Sequence, residues 1–324
     1  MKKVVIIGAG QLGSRHLQGL AKSTQEISIE VVEPFVTSRD TAKQRYEEIK
    51  KNPKITNISF YESIEQLSST LDIVIVATNS DVRSKIVKEL LSIKKVGNLV
   101  LEKVLFQTID EYTEVKKILD ETSTKCWVNH PRRMFPFYQK FKEEIKGCEQ
   151  INYSVEGGAW GLACNGLHFL DHLSYLSDKS DCIIYNDLLD PKIYETKRAN
   201  YVEFNGLLTG RFDNHSFSIY SHKDHLPLSM TISTDALKIH IDEGSGNIKV
   251  ARKSNDWTWE TSKEKIVYYQ SELTNLLIDE ILLTGECNLP CYDEAMKLHL
   301  VFIKSMLLHM EKVDGKVHNL CPIT

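Results

Sequence analysis

The sequence opens on MKKVVIIGAGQLGSRHLQGL, residues 1–20. Within it, an apolar run rich in β-branched residues, VVII, leads directly into the glycines of GAGQLG. Leucines at helical spacing follow, so the stretch predicts a strand, a tight turn and an amphipathic helix. The free N–H groups and the dipole at the start of such a helix favour an anion. The stretch therefore predicts a phosphate-binding turn at the head of an α/β domain.

The turn has the glycine pattern of a dinucleotide-binding fingerprint. Gly8 lets the chain turn sharply, Gly10 leaves no Cβ between the backbone and a pyrophosphate, and Gly13 lets the helix pack close to the strand. Gln11 and Leu12 lie within the same turn and are candidate cofactor-binding residues with the glycines. A glycine turn that binds no nucleotide is the alternative that the fingerprint alone leaves open.

An acidic residue follows at the distance that a dinucleotide-binding domain requires. A second apolar strand, residues 27–33, ends on Glu33, twenty positions after Gly13, where a carboxylate that binds ribose is expected. Glu33 would accept hydrogen bonds from the adenosine ribose and repel a 2′-phosphate, which favours NAD as the cofactor. Ser38 and Arg39 follow closely enough to leave NADP possible.

Composition limits the classes of partner. The 324 residues are enough for two domains, and the net charge of −4 gives no electrostatic preference for nucleic acid or an anionic membrane. No apolar run approaches the length of a membrane span, and the first strand begins at residue 2, which leaves no room for a signal peptide. We therefore expect a cytoplasmic protein that binds neither nucleic acid nor membrane.

The cysteines and histidines do not form a recognisable metal site. The seven cysteines are an odd number without a disulfide framework, so we expect reduced thiols. Cys287 and Cys291 have no second Cys/His pair at zinc-site spacing. His168 and His172 lie one helical turn apart, but the sequence offers no third ligand. We expect no metal.

Strands and helices alternate through the first part of the chain, which predicts a doubly wound parallel sheet of the Rossmann type. Residues 71–77 are apolar on both faces, as a central parallel strand must be. A further strand is predicted over 98–104 and a last one over 125–129. We place this dinucleotide-binding domain at residues 1–125.

Polar residues follow the central strand 71–77. Ligands of open α/β sheets bind beyond the carboxyl ends of the strands, so Thr78 and Asn79 are candidates to contact the nicotinamide half of the cofactor. For Asn79, capping of the next helix is an equal alternative.

Past about residue 145, successive strands predict an α+β domain, residues 126–324, with a largely antiparallel open sheet. Helices at about 272–283 and 293–312 close the chain. The predicted strands are 150–156, 182–188, 201–208, 216–222, 228–233 and 237–241.

Several segments together resemble the glucose–fructose oxidoreductase / inositol dehydrogenase family of two-domain nicotinamide enzymes. They span nearly the whole chain: VVIIGAGQLGSRHLQGL, DIVIVATNSDVR, LEKVL, VNHPRRMFPFYQKFK, GGAWGLACNGLHFLDHL and NLPCYDEAMKLH. The resemblance implies an NAD(P)-dependent oxidoreductase with a carbohydrate substrate, such as a sugar nucleotide or sugar acid of surface-glycan biosynthesis. It also implies a homodimer or homotetramer that forms through the sheet of the second domain.

The resemblance assigns the catalytic residues. The family's Glu-Lys-Pro segment implies that Lys103 lies beside the nicotinamide, and its Asp-x-x-x-His segment implies that His168 is the acid/base. Oxidation of a sugar hydroxyl needs a base for the proton, and a cationic lysine would polarise the developing alkoxide. Glu102 would hold Lys103 in place or cap the end of the strand. Val104 replaces the family's proline, and Cys164 replaces its aspartate.

The replacement at Cys164 removes a carboxylate partner of His168. Asn165 or Asp171 would then have to orient the histidine or stabilise its charge. The same replacement leaves a second class of function open, that of a catalytically inactive dinucleotide-binding regulator or scaffold. Retention of both Lys103 and His168 favours the enzyme.

Further residues near these segments are candidates for substrate binding. Arg132 and Arg133 would bind a substrate phosphate or carboxylate in a bidentate manner, or else form salt bridges between the domains. Trp160, flanked by glycines, is either a platform for sugar stacking or a core residue. Asp171 lies near the site or simply on a helix face. Asn165 completes the set of substrate-binding candidates.

Overall fold

The computed structural model describes residues 1–324 and contains eight α-helices, with short 3₁₀ turns at 64–66, 131–134 and 253–255. The helices are α1 (Gln11–Leu20), α2 (Val36–Glu47), α3 (Ser80–Ile93), α4 (Ile109–Thr122), α5 (Pro136–Glu144), α6 (Leu162–Ser177), α7 (Gln270–Thr284) and α8 (Tyr292–Asp314). None of them combines the length and the apolarity that a membrane span requires.

The strands form two large sheets and one two-stranded ribbon. The strands of the first sheet are β1 (Lys2–Ile7), β2 (Ile27–Val32), β3 (Ile55–Tyr61), β4 (Thr70–Val76), β5 (Lys95–Leu101) and β6 (Lys125–Val128). Those of the second sheet and the ribbon are β7 (Asn152–Gly158), β8 (Cys182–Leu189), β9 (Tyr194–Glu195), β10 (Val202–Glu203), β11 (Gly206–Phe212), β12 (His215–His222), β13 (Leu226–Ser233), β14 (Leu237–Asp242), β15 (Asn247–Arg252) and β16 (Trp259–Lys263).

The chain divides into two compact units, each made of three separate stretches of sequence. The sequence analysis expected a single boundary near residue 125. The second unit comprises Gln107–Ile109, His130–Val267 and Glu294–Thr324. The first unit comprises Met1–Phe106, Asp110–Asn129 and Tyr268–Asp293. A late segment of the chain, which contains α7, therefore returns to the first unit.

The first unit is built on a wholly parallel sheet in the order β3-β2-β1-β4-β5-β6. The predicted doubly wound Rossmann sheet is confirmed. Its central strands are buried on both faces, since the last four residues of β1 and of β4 are at most 3% exposed. This burial explains why the last four residues of each strand are all apolar.

Helix α7 packs against α1 within this unit. A Cβ built at Gly19 of α1 would lie 2.7 Å from both the backbone oxygen of Gln270 and the Cβ of Thr274. Glycine at this position therefore allows the two helices to approach closely. The amphipathic pattern of α7 predicts a helix, but such a pattern does not identify the surface on which the helix packs.

The second unit contains an eight-stranded sheet in the order β16-β15-β14-β13-β7-β12-β11-β8. Only the β12–β7 pair is parallel, so the expected largely antiparallel sheet is confirmed. Buried and less buried residues alternate along β12 and β14, as in a sheet with one covered face.

Some predicted elements were wrong in detail. The strand predicted over 98–104 ends at Leu101, so Glu102 and Lys103 lie in the loop that follows it. Strands β15 and β16 were not predicted. All five residues of β16 are exposed, so this edge strand lacks the apolar alternation from which strands are recognised.

Candidate active site

The glycine turn leaves an open space at Gly10. Gly8 has a φ of +88°, and a Cβ built at Gly13 would lie 1.8 Å from the carbonyl oxygen of Gly8. The backbone itself therefore requires glycine at these two positions. At Gly10, by contrast, a Cβ would meet no atom within 4 Å. Nothing within the protein explains this third glycine, whereas a ligand that approaches the backbone does.

The start of α1 is suited to binding an anion. Gly10 is the N-cap residue, no side chain caps the helix, and its first turn contains no acidic residue. Gln11 and Leu12 are its first two residues, and both are exposed. The helix dipole and the N–H groups of this turn therefore fit a pyrophosphate.

Glu33 is held in a fixed orientation at the end of β2. It is only 5% exposed, and its two carboxylate oxygens accept hydrogen bonds from the backbone N–H groups of Ala9 (2.8 Å) and Phe35 (3.1 Å). A carboxylate has about four acceptor sites, so Glu33 retains capacity for ribose hydroxyls. Arg39 donates to the carbonyl oxygen of Glu33 (2.7 Å) and to the carboxylate of Glu62 (2.9 Å). The Arg39 guanidinium is thus engaged by two protein oxygens.

A groove runs from the glycine turn to the ends of β2 and β4. Its polar and glycine lining comprises Gly8, Gly10, Glu33, Ser38, Glu62, Ser63, Glu65, Thr78, Asn79, Lys85 and Glu89. Four of these residues are acidic and one is basic, so the groove disfavours an additional phosphate. The residues present fit NAD better than NADP.

Thr78 and Asn79 both line this groove. The Cγ2 atom of Thr78 would lie 2.7 Å from a Cβ built at Gly8, which shows how closely the two loops pack. Asn79 occupies the N-cap position of α3, but its side chain makes no capping hydrogen bond. Both residues remain candidates for cofactor contact.

Glu102 is a buried junction rather than an exposed end of a strand. Its Oε1 atom accepts hydrogen bonds from His16 Nε2 (2.9 Å) and Asn129 Nδ2 (2.5 Å). Burial raises the pKa of Glu102, but several interactions with the carboxylate outweigh burial and hold the pKa below its ordinary value. They are the hydrogen bond and charge of His16, the hydrogen bond from Asn129 and the charge of Arg83. The anchored carboxylate ties together α1, β5 and the residue after β6.

Lys103 follows this junction and is half-buried. Val76 of β4 pairs with Leu101 of β5, so the segments that carry Thr78 and Lys103 leave the sheet side by side. The Lys103–Val104 peptide bond is cis. The structure therefore places Lys103 at the same sheet edge as the groove.

Sequence reasoning missed Arg83, which is 1% exposed. Its guanidinium donates to the carbonyl oxygens of Thr78, Val104 and Leu105. No local pattern marks this residue, because its acceptors are backbone atoms of two loops that are distant from each other in sequence.

In the second unit, Glu203 lies at the start of α6. Its carboxylate accepts hydrogen bonds from the backbone N–H groups of Ala163 and, at 3.4 Å, Cys164. The sequence suggested Asn165 or Asp171 as the substitute for the carboxylate that is missing at Cys164. The Asn165 amide instead donates to the carbonyl oxygen of Trp160 (2.6 Å).

Trp160 is half-buried, and its indole N–H donates to the carbonyl oxygen of Tyr220 (3.1 Å). Its ring makes an edge-to-face contact with Phe169, with the centroids 5.4 Å apart. The guanidinium of Arg132 lies 4.1 Å from the centroid of the same phenylalanine ring. Trp160 is therefore a fixed side chain that is neither fully exposed nor part of the closed core.

His168, on α6, belongs to a cluster of three histidines. Its ring contacts that of His130 edge to face, with the centroids 5.4 Å apart, and His130 Nε2 lies 3.1 Å from His299 Nε2. Two facing imidazole nitrogens at this distance share a single proton. Sequence reasoning missed His130 and His299, because the two residues are far apart in the sequence and belong to no spaced motif.

Both arginines predicted to bind substrate are paired within the second unit. Arg132 forms a bidentate ion pair with Glu243 (3.0 and 2.6 Å), and Arg133 binds Asp171 through Nε and Nη2 (2.9 and 2.7 Å). Asp171 is thus directed to Arg133. The alternative of salt bridges between domains does not describe these pairs, because all four residues belong to one unit.

His172 is part of the buried interior. Its Nδ1 atom lies 3.0 Å from the hydroxyl of Tyr153. Burial and the charges of Arg132 and Arg133 lower the pKa of His172 well below its ordinary value. No group of three His, Cys, Asp or Glu side chains is arranged to hold a metal ion.

Residues 2–130 match the model of the Gfo/Idh/MocA family, described as an oxidoreductase family with an NAD-binding Rossmann fold. The match covers the first 129 of the 324 residues after Met1, which include all six strands of the parallel sheet. The resemblance drawn from the sequence is confirmed, and the protein is an NAD(P)-dependent oxidoreductase. A comparison with curated protein sequences gave no match.

Solved structures superpose on nearly the whole chain. An oxidoreductase from Agrobacterium radiobacter, in complex with NAD⁺, L-tartaric acid and magnesium, is 11% identical, with 98% of each chain covered and a TM-score of 0.70. A Gfo/Idh/MocA family oxidoreductase from Vibrio cholerae is 14% identical, with 98% of this chain and 100% of that chain covered and a TM-score of 0.70. A super-repressor mutant of Gal80p from Saccharomyces cerevisiae is 16% identical, with 98% and 97% covered and a TM-score of 0.69. At these identities the likeness shows the fold.

Substitutions of two glycines separate the needs of the fold from those of the cofactor. We expect Gly13→Ala to destabilise the protein, because its Cβ would overlap the Gly8 oxygen. We expect Gly10→Ala to keep wild-type stability but to weaken NADH binding about tenfold or more, equivalent to at least roughly 1.4 kcal/mol. Thermal unfolding and calorimetric titration measure the two effects. A Gly10→Ala variant that binds NADH like the wild type would contradict this assignment of the groove.

The Glu102 junction predicts a dependence of stability on pH. We expect Glu102→Gln to lower the free energy of unfolding at neutral pH by about 1–3 kcal/mol, because His16 and Asn129 lose a charged acceptor. The folded-state pKa lies below the ordinary value of 4.5, so the carboxylate stabilises the protein above that value. This contribution is lost as the pH falls through the lowered pKa.

Urea unfolding of both proteins over this pH range measures the difference. It should shrink as the pH falls below 4.5. Glu47→Gln, at an exposed position of the same unit, is the control and should match the wild type throughout. A difference for Glu102→Gln that does not change with pH would refute the role of its charge.

Proposed function

We propose that this oxidoreductase transfers a hydride between nicotinamide and a carbon atom of a carbohydrate, with Lys103 and His168 as the catalytic residues. The observation that supports this most is the position of Lys103. It follows an anchored carboxylate at the sheet edge where Thr78 lines the groove. The carboxyl edge of a parallel sheet is where ligands of such domains bind.

NAD, when bound, accepts the hydride during oxidation and returns it during reduction. In the oxidation direction, His168 takes the proton of the sugar hydroxyl, because an imidazole exchanges protons near neutral pH. The Lys103 ammonium stabilises the negative charge that develops on the same oxygen. In the reduction direction, His168 returns the proton to that oxygen.

We propose NAD as the preferred cofactor, with NADP as the weaker one. Support comes from the carboxylate of Glu33, the three further acidic residues of the groove, and the engagement of Arg39 by Glu62. The pyrophosphate would be held by the glycine turn, which comprises Gly8, Gly10, Gln11, Leu12 and Gly13. Thr78 and Asn79 would contact the nicotinamide half.

The proposed substrate is a sugar nucleotide or sugar acid of surface-glycan biosynthesis, as the family resemblance implies. Trp160 remains the candidate platform for the sugar, and Asn165 supports it through the hydrogen bond to its carbonyl oxygen. Arg132, Arg133 and Asp171 would shape the substrate pocket rather than bind the substrate, because their charges are already paired. The seven free cysteines support a reducing, cytoplasmic setting.

The roles of the catalytic residues are tested with Lys103→Met and His168→Asn. We expect each to lower kcat by about 100-fold or more, since each removes a group that acts in the transition state. The affinity for NADH should stay within about threefold of the wild type, less than 1 kcal/mol. Lys95→Met is the matched control, because Lys95 is exposed at the start of β5, the strand that leads to Lys103.

The assay follows NADH formation in a screen of sugar nucleotides and sugar acids. Wild-type turnover by Lys103→Met would exclude the proposed role of the lysine. Loss of turnover in the Lys95→Met control would show that the assay reports general damage.

We also propose that two or four copies associate through the sheet of the second unit. Strand β8 is an edge strand and carries three exposed apolar residues, Ile183, Tyr185 and Leu188, which are 45, 49 and 63% exposed. Such a surface is costly to leave in water. Sedimentation velocity at micromolar concentration should give a dimer or tetramer, and Leu188→Lys should shift the population toward the monomer. A monomeric wild-type protein would contradict the proposal.

A further inference from the structure

Arg83 is a cation that lies in the interior of the first unit. It extends from α3 and is 1% exposed. One terminal nitrogen donates to the carbonyl oxygens of Val104 and Leu105, the latter at 2.9 Å. The other donates to the carbonyl oxygen of Thr78. Arg83 therefore joins the loop after β4 to the loop after β5.

A buried guanidinium is costly unless its N–H groups are satisfied. Here the planar fork spans acceptors in two separate chain segments, which a lysine ammonium at a single point does not match. The arginine also lies close enough to Glu102 for its charge to favour the carboxylate there. A hydrophobic side chain would fill this space at lower cost, so the arginine implies a requirement beyond packing.

Both segments that Arg83 holds belong to the candidate active site. Thr78 lines the groove, and its backbone nitrogen would lie 3.1 Å from a Cβ built at Gly8, so a shift of Thr78 moves against the glycine turn. Val104 is the residue immediately after Lys103. The position of the lysine backbone thus depends on the carbonyl groups that Arg83 binds.

The identity of residue 104 explains why the loop after β5 needs hydrogen bonds from Arg83. A proline there would restrict the backbone through its ring, whereas valine leaves φ free. Hydrogen bonds from Arg83 to the carbonyl oxygens of Val104 and Leu105 restrict the same segment from outside.

We propose that Arg83 is a positioning residue that fixes Thr78 in the cofactor groove and Lys103 beside it. The inference rests on the proposed function, because it assumes that the groove binds NAD and that Lys103 acts at the nicotinamide. It assigns to one side chain, far from the glycine fingerprint in sequence, control over both cofactor binding and the catalytic lysine.

The test compares NADH affinity in Arg83→Met, Arg83→Lys and Val87→Ala by calorimetric titration. Val87 lies on the same helix and is fully buried, so Val87→Ala destabilises α3 without removing a hydrogen bond to either loop. We expect Arg83→Met to weaken NADH binding about tenfold or more, and Arg83→Lys to bind with intermediate affinity. Val87→Ala should bind NADH like the wild type despite its lower stability.

Chemical rescue separates positioning from general stability. In Arg83→Ala, millimolar guanidinium chloride should restore part of the NADH affinity by occupying the vacated site, whereas sodium chloride at the same ionic strength should not. A merely structural arginine would give no such selective recovery of affinity.

Two results overturn the inference alone: Arg83→Met that binds NADH within twofold of a binding wild type, or equal losses of affinity in Arg83→Met and Val87→Ala. If Arg83→Met does not fold, Arg83→Lys with wild-type NADH affinity overturns it in the same way. Failure of the wild-type protein to bind NADH overturns the proposed function, and this inference falls with it.

Discussion

The close approach of α1 to β1 is the constraint on which the first unit depends. The carbonyl oxygen of Gly8 occupies the place where a side chain at Gly13 would begin, 1.8 Å from the built Cβ. Only with both glycines can the helix start directly over the strand end and direct its N-terminal dipole to the sheet edge. Gly10 then leaves that edge open. The geometry for a pyrophosphate is a consequence of backbone packing.

The other elements of the site continue the same sheet edge. Glu33, Thr78 and Lys103 follow β2, β4 and β5, so parallel topology gathers residues that are far apart in sequence. Two buried hydrogen-bonding centres lie behind them. Glu102 binds side chains from α1 and from the residue after β6, and Arg83 binds the backbone of two loops. The rigidity of this edge therefore derives from two charged groups that are removed from water and held by hydrogen bonds, which are strong in a medium of low dielectric constant.

Local sequence patterns predicted the elements that carry their own signal. The glycine spacing, the acid at Glu33 and the change from alternating elements to successive strands were sufficient for the two sheet types. The pairing of distant side chains has no such signal. The sequence offered substrate binding or domain bridging for Arg132 and Arg133, whereas the structure pairs them with Glu243 and Asp171.

The position of Cys164 shows the same limit. The sequence suggested Asn165 or Asp171, which lie on α6 itself, but the carboxylate that binds the first turn of this helix is Glu203 of β10. The packing of α7 on the first unit could not be predicted either. The glycine that allows the close approach is Gly19 of α1, which lies more than two hundred residues earlier in the chain. Contacts of this kind are properties of the fold, and no periodicity encodes them.

The central claim is that the first unit binds a dinucleotide in the acidic groove beside Gly10. The most direct measurement is a titration of the purified protein with NADH and with NADPH, followed by energy transfer from tryptophan to the reduced nicotinamide. We expect saturable binding of both or of NADH alone, with NADH the tighter ligand because of Glu33 and the neighbouring acids. Tighter binding of NADPH would contradict the assignment of the groove, and binding of neither would contradict the account as a whole.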